Sequence, residues 1–285
     1  MITPFQALAC PLDGTDLHRH ENTWQCASGH NFDISSQGYV HLLPVQMKRS
    51  RDPGDSKEMV ASRRRFLSSG VYDPIANATS ATILRNTPAN STIRCLDAGC
   101  GEGHYLRCVA AGSTPGIALV LAGLDISKWA IQAAAKRDKQ TTWLVGSNAN
   151  LPIQSASLDW LLCMFGFPVY AEFARVLAPH GQLLQVDAGP QHLRELREII
   201  YPTLKPERAG NESDPPGFKH VGSETLSYSL ELTSAEQIAD LLAMTPHLFR
   251  ASADGLAKLK TLDRLSVTVD VRLARFKVMA FVLAD

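Results

Sequence analysis

The chain has 285 residues, 45% of them hydrophobic, and it carries 28 Lys plus Arg against 28 Asp plus Glu. That length suits one large domain with a small companion, and a net charge of zero argues against a generally basic nucleic-acid binder. No apolar run approaches the ~18 residues of a membrane span, residues 1–10 lack the basic-then-apolar order of a secretory signal, and six scattered cysteines predict a reducing, cytoplasmic setting.

Residues 1–45 are rich in Cys, His, Gly and aromatic side chains. A piece this small buries too little to hold itself together, so a metal or docking must hold it. Cys10-Pro11-Leu12-Asp13 is followed by Cys26-Ala27-Ser28-Gly29-His30. Two such turns tied by one ion form a compact zinc ribbon, in which sulfur and nitrogen are the usual donors. Cys10, Cys26 and His30 are good ligands; Asp13, His18 or His20 could supply the fourth. The competing reading is a metal-free knuckle packed on Trp24, Phe32 and Tyr39.

Residues 46–90 form a basic linker with helices. From Lys48 to Arg65 there are seven Lys/Arg and three Asp/Glu, a stripe that suits phosphate or simply a solvated face. Asp52-Pro53-Gly54-Asp55 reads as a turn, Ser56 as the cap of a helix reaching Gly70, and Pro74 to Arg85 as a second helix.

From residue 91 to 285 strands and helices alternate, which predicts an α/β fold with a doubly wound, mostly parallel sheet. Strands are expected at 93–97, 118–124, 142–146, 158–164 and 181–187, and helices at 103–112, 127–137 and 170–178. Within this unit lies Leu96-Asp97-Ala98-Gly99-Cys100-Gly101-Glu102-Gly103, and then Gly123-Leu124-Asp125 at the end of the next strand. Alternate glycines let the chain turn tightly and a ligand approach the backbone. An acidic residue one strand later is placed to accept hydrogen bonds from ribose hydroxyls. Together these features read as the S-adenosylmethionine (SAM) site of a Rossmann-like methyltransferase, with Asp97, Gly99, Gly101 and Asp125 as candidate cofactor residues. Further on, residues 203–228 read as a polar insertion, Ser234 caps a helix through Ala243, and the period-two pattern around Arg272 to Leu283 predicts a closing hairpin.

Several stretches together resemble the ribosomal RNA large-subunit guanine-N1 methyltransferases of the RlmA type. They are Cys26-x3-His30-x-Phe32-Asp33, Gly38-Tyr39-Val40, Lys48-Arg49-Ser50-Arg51-Asp52-Pro53-Gly54-Asp55-Ser56, Leu96 to Tyr105, Leu124 to Lys128, Gly189-Pro190-x-His192-Leu193 and Met244-Thr245-Pro246. The resemblance covers nearly the whole chain. It implies a class I fold with an N-terminal zinc-ribbon-like RNA-recognition element, SAM and zinc as cofactors, 23S rRNA as partner and a homodimeric assembly. It implies zinc on Cys10, Cys26 and His30, with Asp13 where the family has its fourth cysteine, and SAM contacts from Tyr72, Gly101, Glu102 and His192. Asp125 and the Ser147-Asn148 turn match the ribose and adenine contacts of class I methyltransferases in general. The chain departs from the usual pattern at Ser147, where an Asp is common, and at Phe165-Gly166-Phe167-Pro168, where relatives often have Ala-Pro.

Guanine N1 carries a proton at neutral pH, so a general base within reach would help methyl transfer. Asp187, at the end of the fifth predicted strand, is placed for that role or for capping its loop. N1 is hidden in a base pair, so the target must be unpaired or flipped. Phe165, Phe167 and Tyr170 could stack on it or pack in the core. Two other readings compete: a SAM-dependent small-molecule methyltransferase, which would have no use for the Cys/His element, and a SAM- or RNA-binding protein without activity.

Overall fold

The computed structural model describes residues 1–47, 50–85, 87–204 and 213–279. In chain order the strands and helices are β1 (Ile2–Pro4), β2 (Leu17–His20), β3 (Thr23–Cys26), β4 (Asn31–Asp33), β5 (Tyr39–His41), α1 (Lys57–Ser68), α2 (Asp73–Leu84), β6 (Thr92–Ala98), α3 (His104–Ala111), β7 (Ala118–Asp125), α4 (Lys128–Arg137), β8 (Thr142–Val145), β9 (Leu158–Met164), α5 (Tyr170–Val176), β10 (Leu177–Ala188), α6 (Arg194–Ile200), β11 (Phe218–Leu232), α7 (Ala235–Ala243), α8 (Ala253–Leu259) and β12 (Leu265–Val278). Serine side chains start three of the expected helices: Ser56 accepts from Met59 N–H, Ser127 from Ala130 N–H and Ser234 from Gln237 N–H. Each satisfies one backbone donor that the first turn would otherwise leave unpaired.

Among the described residues one sheet runs β11-β12-β10-β9-β6-β7-β8-β5, with β1 beside β7. All its pairings are parallel except those of β12, which is antiparallel to both β10 and β11. This is the doubly wound sheet the alternation predicts, in the class I methyltransferase arrangement. The chain leaves β6 toward β7 on one side and returns to β9 on the other. Such a switch point opens a crevice at the carboxyl ends of the strands.

Both faces of the sheet are covered, so its central strands are apolar on both sides. Cys95, Leu121 and Leu162 point into one core with α1, α2, α3 and α4. Leu96, Leu124 and Leu161 point into the other, with Phe173 and Val176 of α5 and with Phe5, Leu8, Cys10 and Trp24 of the N-terminal segment.

Three expectations change. The N-terminal segment has its own three-stranded sheet, β2-β3-β4, but it is not set apart. β1 pairs with β7 and β5 extends the main sheet beside β8, because docking supplies the burial that so short a piece lacks. Residues 218–228 of the expected insertion are strand: Leu226, Tyr228, Leu230 and Leu232 alternate inward while polar neighbours face out, and that dilution hid the period. The tail strand β12 inserts between β10 and β11 and pairs antiparallel with both, on residues earlier in the chain. Residues 280–283 of the expected hairpin lie outside the described residues.

Candidate functional site

The site begins where β6 gives way to α3. Gly99 has φ +99°, and a Cβ there would meet nothing within 4 Å; Gly101 has φ +55° and would meet the Arg63 side chain at 3.2 Å. Gly103 differs, since a Cβ there would lie 2.3 Å from the Trp143 ring. The first two glycines keep an open cradle, and the third lets the loop close over a tryptophan.

Asp125, at the end of β7, holds the cradle in shape. Its Oδ2 accepts from Gly101 N–H at 2.9 Å and its Oδ1 from Ser127 N–H at 2.8 Å. Each oxygen keeps a further lone pair for a hydroxyl donor. Burial raises its pKa and the two backbone bonds oppose that. Asp97 is fully buried, and neither carboxylate oxygen has a partner. Burial, reinforced by the Asp125 charge, pushes it up to about 8. A buried carboxylate without partners demands an explanation. Beside an open glycine cradle, that carboxylate fits the cationic end of a SAM molecule.

The turn after β8 contributes Asn148. Its Nδ2 donates to Ala98 O at 3.4 Å, and its Oδ1 is buried without a partner. Ser147 Oγ accepts from Ala149 N–H at 3.2 Å, which leaves its hydroxyl proton to donate. Glu102 is committed: its buried carboxylate binds Arg107 at 2.7 Å and Arg137 at 2.9 Å, bracing α3 against α4. Tyr72 is buried edge-on to Phe66, 5.1 Å between ring centroids, and burial raises its phenol. His192 follows β10 and takes the Asp270 N–H on Nδ1 at 3.2 Å. Burial pushes its pKa down to about 4, so the ring is neutral at pH 7 with its proton assigned to Nε2. It stacks on Phe165, 5.9 Å between centroids at 25°.

Phe165 and Phe167 lie on the loop after β9. Phe167 is 90% exposed, and Phe165 holds φ +53°, a left-handed conformation that a bulky residue rarely adopts. Gln185, one register step from Asp187 on the same face of β10, donates from Nε2 to Asp187 Oδ2 at 2.6 Å and accepts from the Tyr170 hydroxyl at 3.1 Å. Burial raises Asp187. Glycine cradle, Ser147, Asn148, Phe165 and Asp187 therefore gather at the carboxyl ends of β6, β8, β9 and β10, while the Glu102 carboxylate is occupied in the scaffold.

Sequence reasoning missed the turn at 52–56 as part of this site. Gly54 has φ +83°, and a Cβ there would lie 2.9 Å from Ile126 and Ser127. Ser127 Oγ donates to Asp55 O at 2.6 Å, and Asp55 pairs with Arg63 at 2.8 Å. Arg63 also donates to Met244 O, so turn and helix form a wall over Gly101. Pro-Gly in a run of charges was the only signal, and it read as linker. The basic stripe is correspondingly thinner than its charge count: Arg63 is paired here and Arg65 is bound to Asp240 at 2.9 Å. Lys48 and Arg49 lie outside the described residues.

The second cluster sits in the N-terminal element. His30 Nδ1 lies 3.4 Å from Cys10 Sγ, 3.3 Å from Cys26 Sγ and 3.2 Å from Asp13 Oδ2, and Cys26 Sγ is 3.7 Å from Asp13 Oδ2. All four donor atoms lie within 4.8 Å of one another. Tetrahedral zinc with S, N and O ligands has edges of about 3.4–3.8 Å, so the donor set fits that ion. Asp13 fills the fourth position; His18 and His20 are exposed on β2 and stand outside the cluster. Trp24 is buried in one apolar cluster with Cys10 and Cys26, so packing also supports this element.

Comparison with known proteins adds the following. Residues 8–51 match the zinc-ribbon family described as RlmA, N-terminal, and residues 95–181 match a methyltransferase domain. A Bacillus subtilis protein named as a 23S rRNA (guanine-N(1)-)-methyltransferase is 31% identical, with 94% of this chain and 95% of that one covered. A Micromonospora griseorubida protein of the same name is 31% identical over 95% and 97%. The Streptomyces fradiae 23S rRNA (guanine(748)-N(1))-methyltransferase is 31% identical over 88% and 89%.

Proposed function

The chain belongs to the RlmA-type family of 23S rRNA guanine-N1 methyltransferases, and from this we propose that it moves a methyl group from SAM to N1 of an unpaired guanine in a 23S rRNA hairpin. The observation that carries the reading is the meeting of two features in one molecule. An open glycine cradle faces a partnerless buried Asp97, and a four-donor metal cluster is docked on the same sheet.

Bound SAM supplies a methyl already activated by its sulfonium. The residues of this chain have to bind, orient and take up a proton. Asp125 and Asn148 offer acceptors for the nucleoside end, Asp97 compensates positive charge, and Tyr72 and His192 close the site from α2 and β10. Phe165 and Phe167 offer ring faces to an extruded base. Asp187 Oδ1 accepts the N1 proton. Its raised pKa, closer to neutrality, favours proton uptake over that of an ordinary carboxylate. Cys10, Asp13, Cys26 and His30 would hold zinc, which would fix the loops of an RNA-contacting element. A ribosomal RNA substrate supports a cytoplasmic setting for the reaction.

The test is methyl transfer from labelled SAM to unmodified 23S rRNA, with the modified nucleoside identified by mass spectrometry. N1-methylguanosine is the expected product. Label on a small molecule only, or SAM bound with no label transferred, would overturn the reading.

A further inference from the structure

A groove of about 210 Å³ runs between α1 and α4, on the opposite sheet face from the metal cluster. Its walls carry Lys57 and Arg64 from α1 and Lys136 and Arg137 from α4, with Trp129 on its floor. Lys57 Nζ lies 4.0 Å from the centre of the Trp129 ring. The sequence of α4 contains no acidic residue, and that of α1 contains only Glu58, which accepts from Ser56 Oγ at its outer end. Among the described residues, neither Arg64 nor Lys136 takes part in an ion pair. Four cations around one groove repel each other; among the described residues, Arg137 is offset by Glu102 and Lys57 rests on the Trp129 ring, while Arg64 and Lys136 have no carboxylate partner.

Both helices that wall the groove begin beside the cradle: α1 starts just after the turn that walls the glycine cradle, and α4 starts at the cap that follows Asp125. A second hollow, lined by Arg51, Lys128 and Asp52 among others, shares Trp129 with it. From Lys57 to Arg64 the helix rises about 10 Å, the axial length of about three stacked nucleotides.

We propose that this groove is a phosphodiester track, in which the RNA backbone next to the target nucleotide lies between Arg64 and Lys136 with a base or ribose against Trp129. The proposal rests on the RNA-methyltransferase reading above and adds to it a second contact surface, so that the substrate is held on both faces of the sheet. Charge complementarity decides the occupant: four cations, of which Arg64 and Lys136 make no ion pair among the described residues, around one half-buried aromatic ring suit single-stranded nucleic acid.

The experiment compares the full-length protein with the R64Q/K136Q variant, and with the charge-preserving R64K/K136R variant. Binding of an in-vitro-transcribed 23S rRNA fragment is followed across salt concentrations, beside calorimetric SAM affinity and methyl transfer. Loss of two phosphate contacts on a single strand lowers the salt slope by about 1.4. The expected result is that drop, a raised KM for RNA and unchanged SAM affinity in R64Q/K136Q, with the slope kept in R64K/K136R. An unchanged slope and KM in a protein that methylates RNA would overturn the track and leave the reaction standing. RNA binding with the predicted drop but no methyl transfer would support the track and overturn the reaction. A wild-type protein that binds no RNA would overturn both.

Discussion

At the scale of single residues, Asp97 sets stability against function. Its folded pKa of about 8 stands above an unfolded value of ~3.9. Between those values the folded state keeps a proton that the unfolded state has released, so stability falls as pH rises through that window. D97N removes the ionisation and should flatten this slope, raising the melting temperature at pH 8 in ligand-free protein while weakening SAM binding. Thermal melts across pH beside calorimetry would check both halves. His192 has the opposite sign. Its folded pKa of about 4 lies below the ordinary histidine value, so its contribution is full above ~6.5 and is lost on acidification toward 4. Asp187 is the proton acceptor of the proposed reaction, and D187N should lower kcat by roughly 10²–10⁴-fold with little change in SAM affinity. An equal loss of SAM binding would make Asp187 part of the scaffold instead.

Among the elements, the turn before α1 and the metal cluster carry the most specific expectations. A Cβ at Gly54 would meet Ile126 and the Ser127 backbone at 2.9 Å, at φ +83°. G54A should push the turn off Ser127, release Asp55 and Arg63 from the cradle and cost about 1–3 kcal/mol. Denaturant melts and SAM titration would show both losses, and an unchanged SAM affinity would remove this turn from the site. In the cluster, Asp13 supplies oxygen where closed structural sites prefer sulfur or nitrogen. D13C should tighten zinc binding in competition with a chelator, and the cobalt-substituted variant should gain thiolate charge-transfer absorption. Equal affinity for both forms would show that Asp13 is not a ligand.

Across the whole molecule, the N-terminal segment and the methyltransferase sheet are one mechanical unit. β1 and β5 pair with β7 and β8, and Phe5, Leu8, Val40 and Leu42 are buried against the sheet. Deleting residues 1–46 should therefore expose β8 as a bare edge together with an apolar face, giving aggregation rather than a working catalytic core. Size-exclusion chromatography of the truncated protein decides this, and a soluble, SAM-binding fragment would contradict it. The segment is thus fixed relative to the cradle instead of tethered to it.

What the sequence determined by itself was everything encoded locally. The cradle glycines, Asp125 one strand later, the serine caps and the donors Cys10, Cys26 and His30 are each legible from local spacing, whereas the fourth donor stayed open between Asp13, His18 and His20 until the fold brought Asp13 to the cluster. The strands from Thr92 to Ala188 were legible locally too, since burial on both faces makes them continuous apolar runs. Tertiary structure alone decided which candidates are free to meet a ligand. Glu102 is consumed by two arginines, whereas Asp97 and the Asn148 oxygen are left without partners among the described residues. It also decided that Gly54 and Arg63 wall the cradle, and that β11 pairs with β12 across an intervening helical segment. Contacts of this kind join positions tens of residues apart, where no periodicity or spacing rule links one partner to the other.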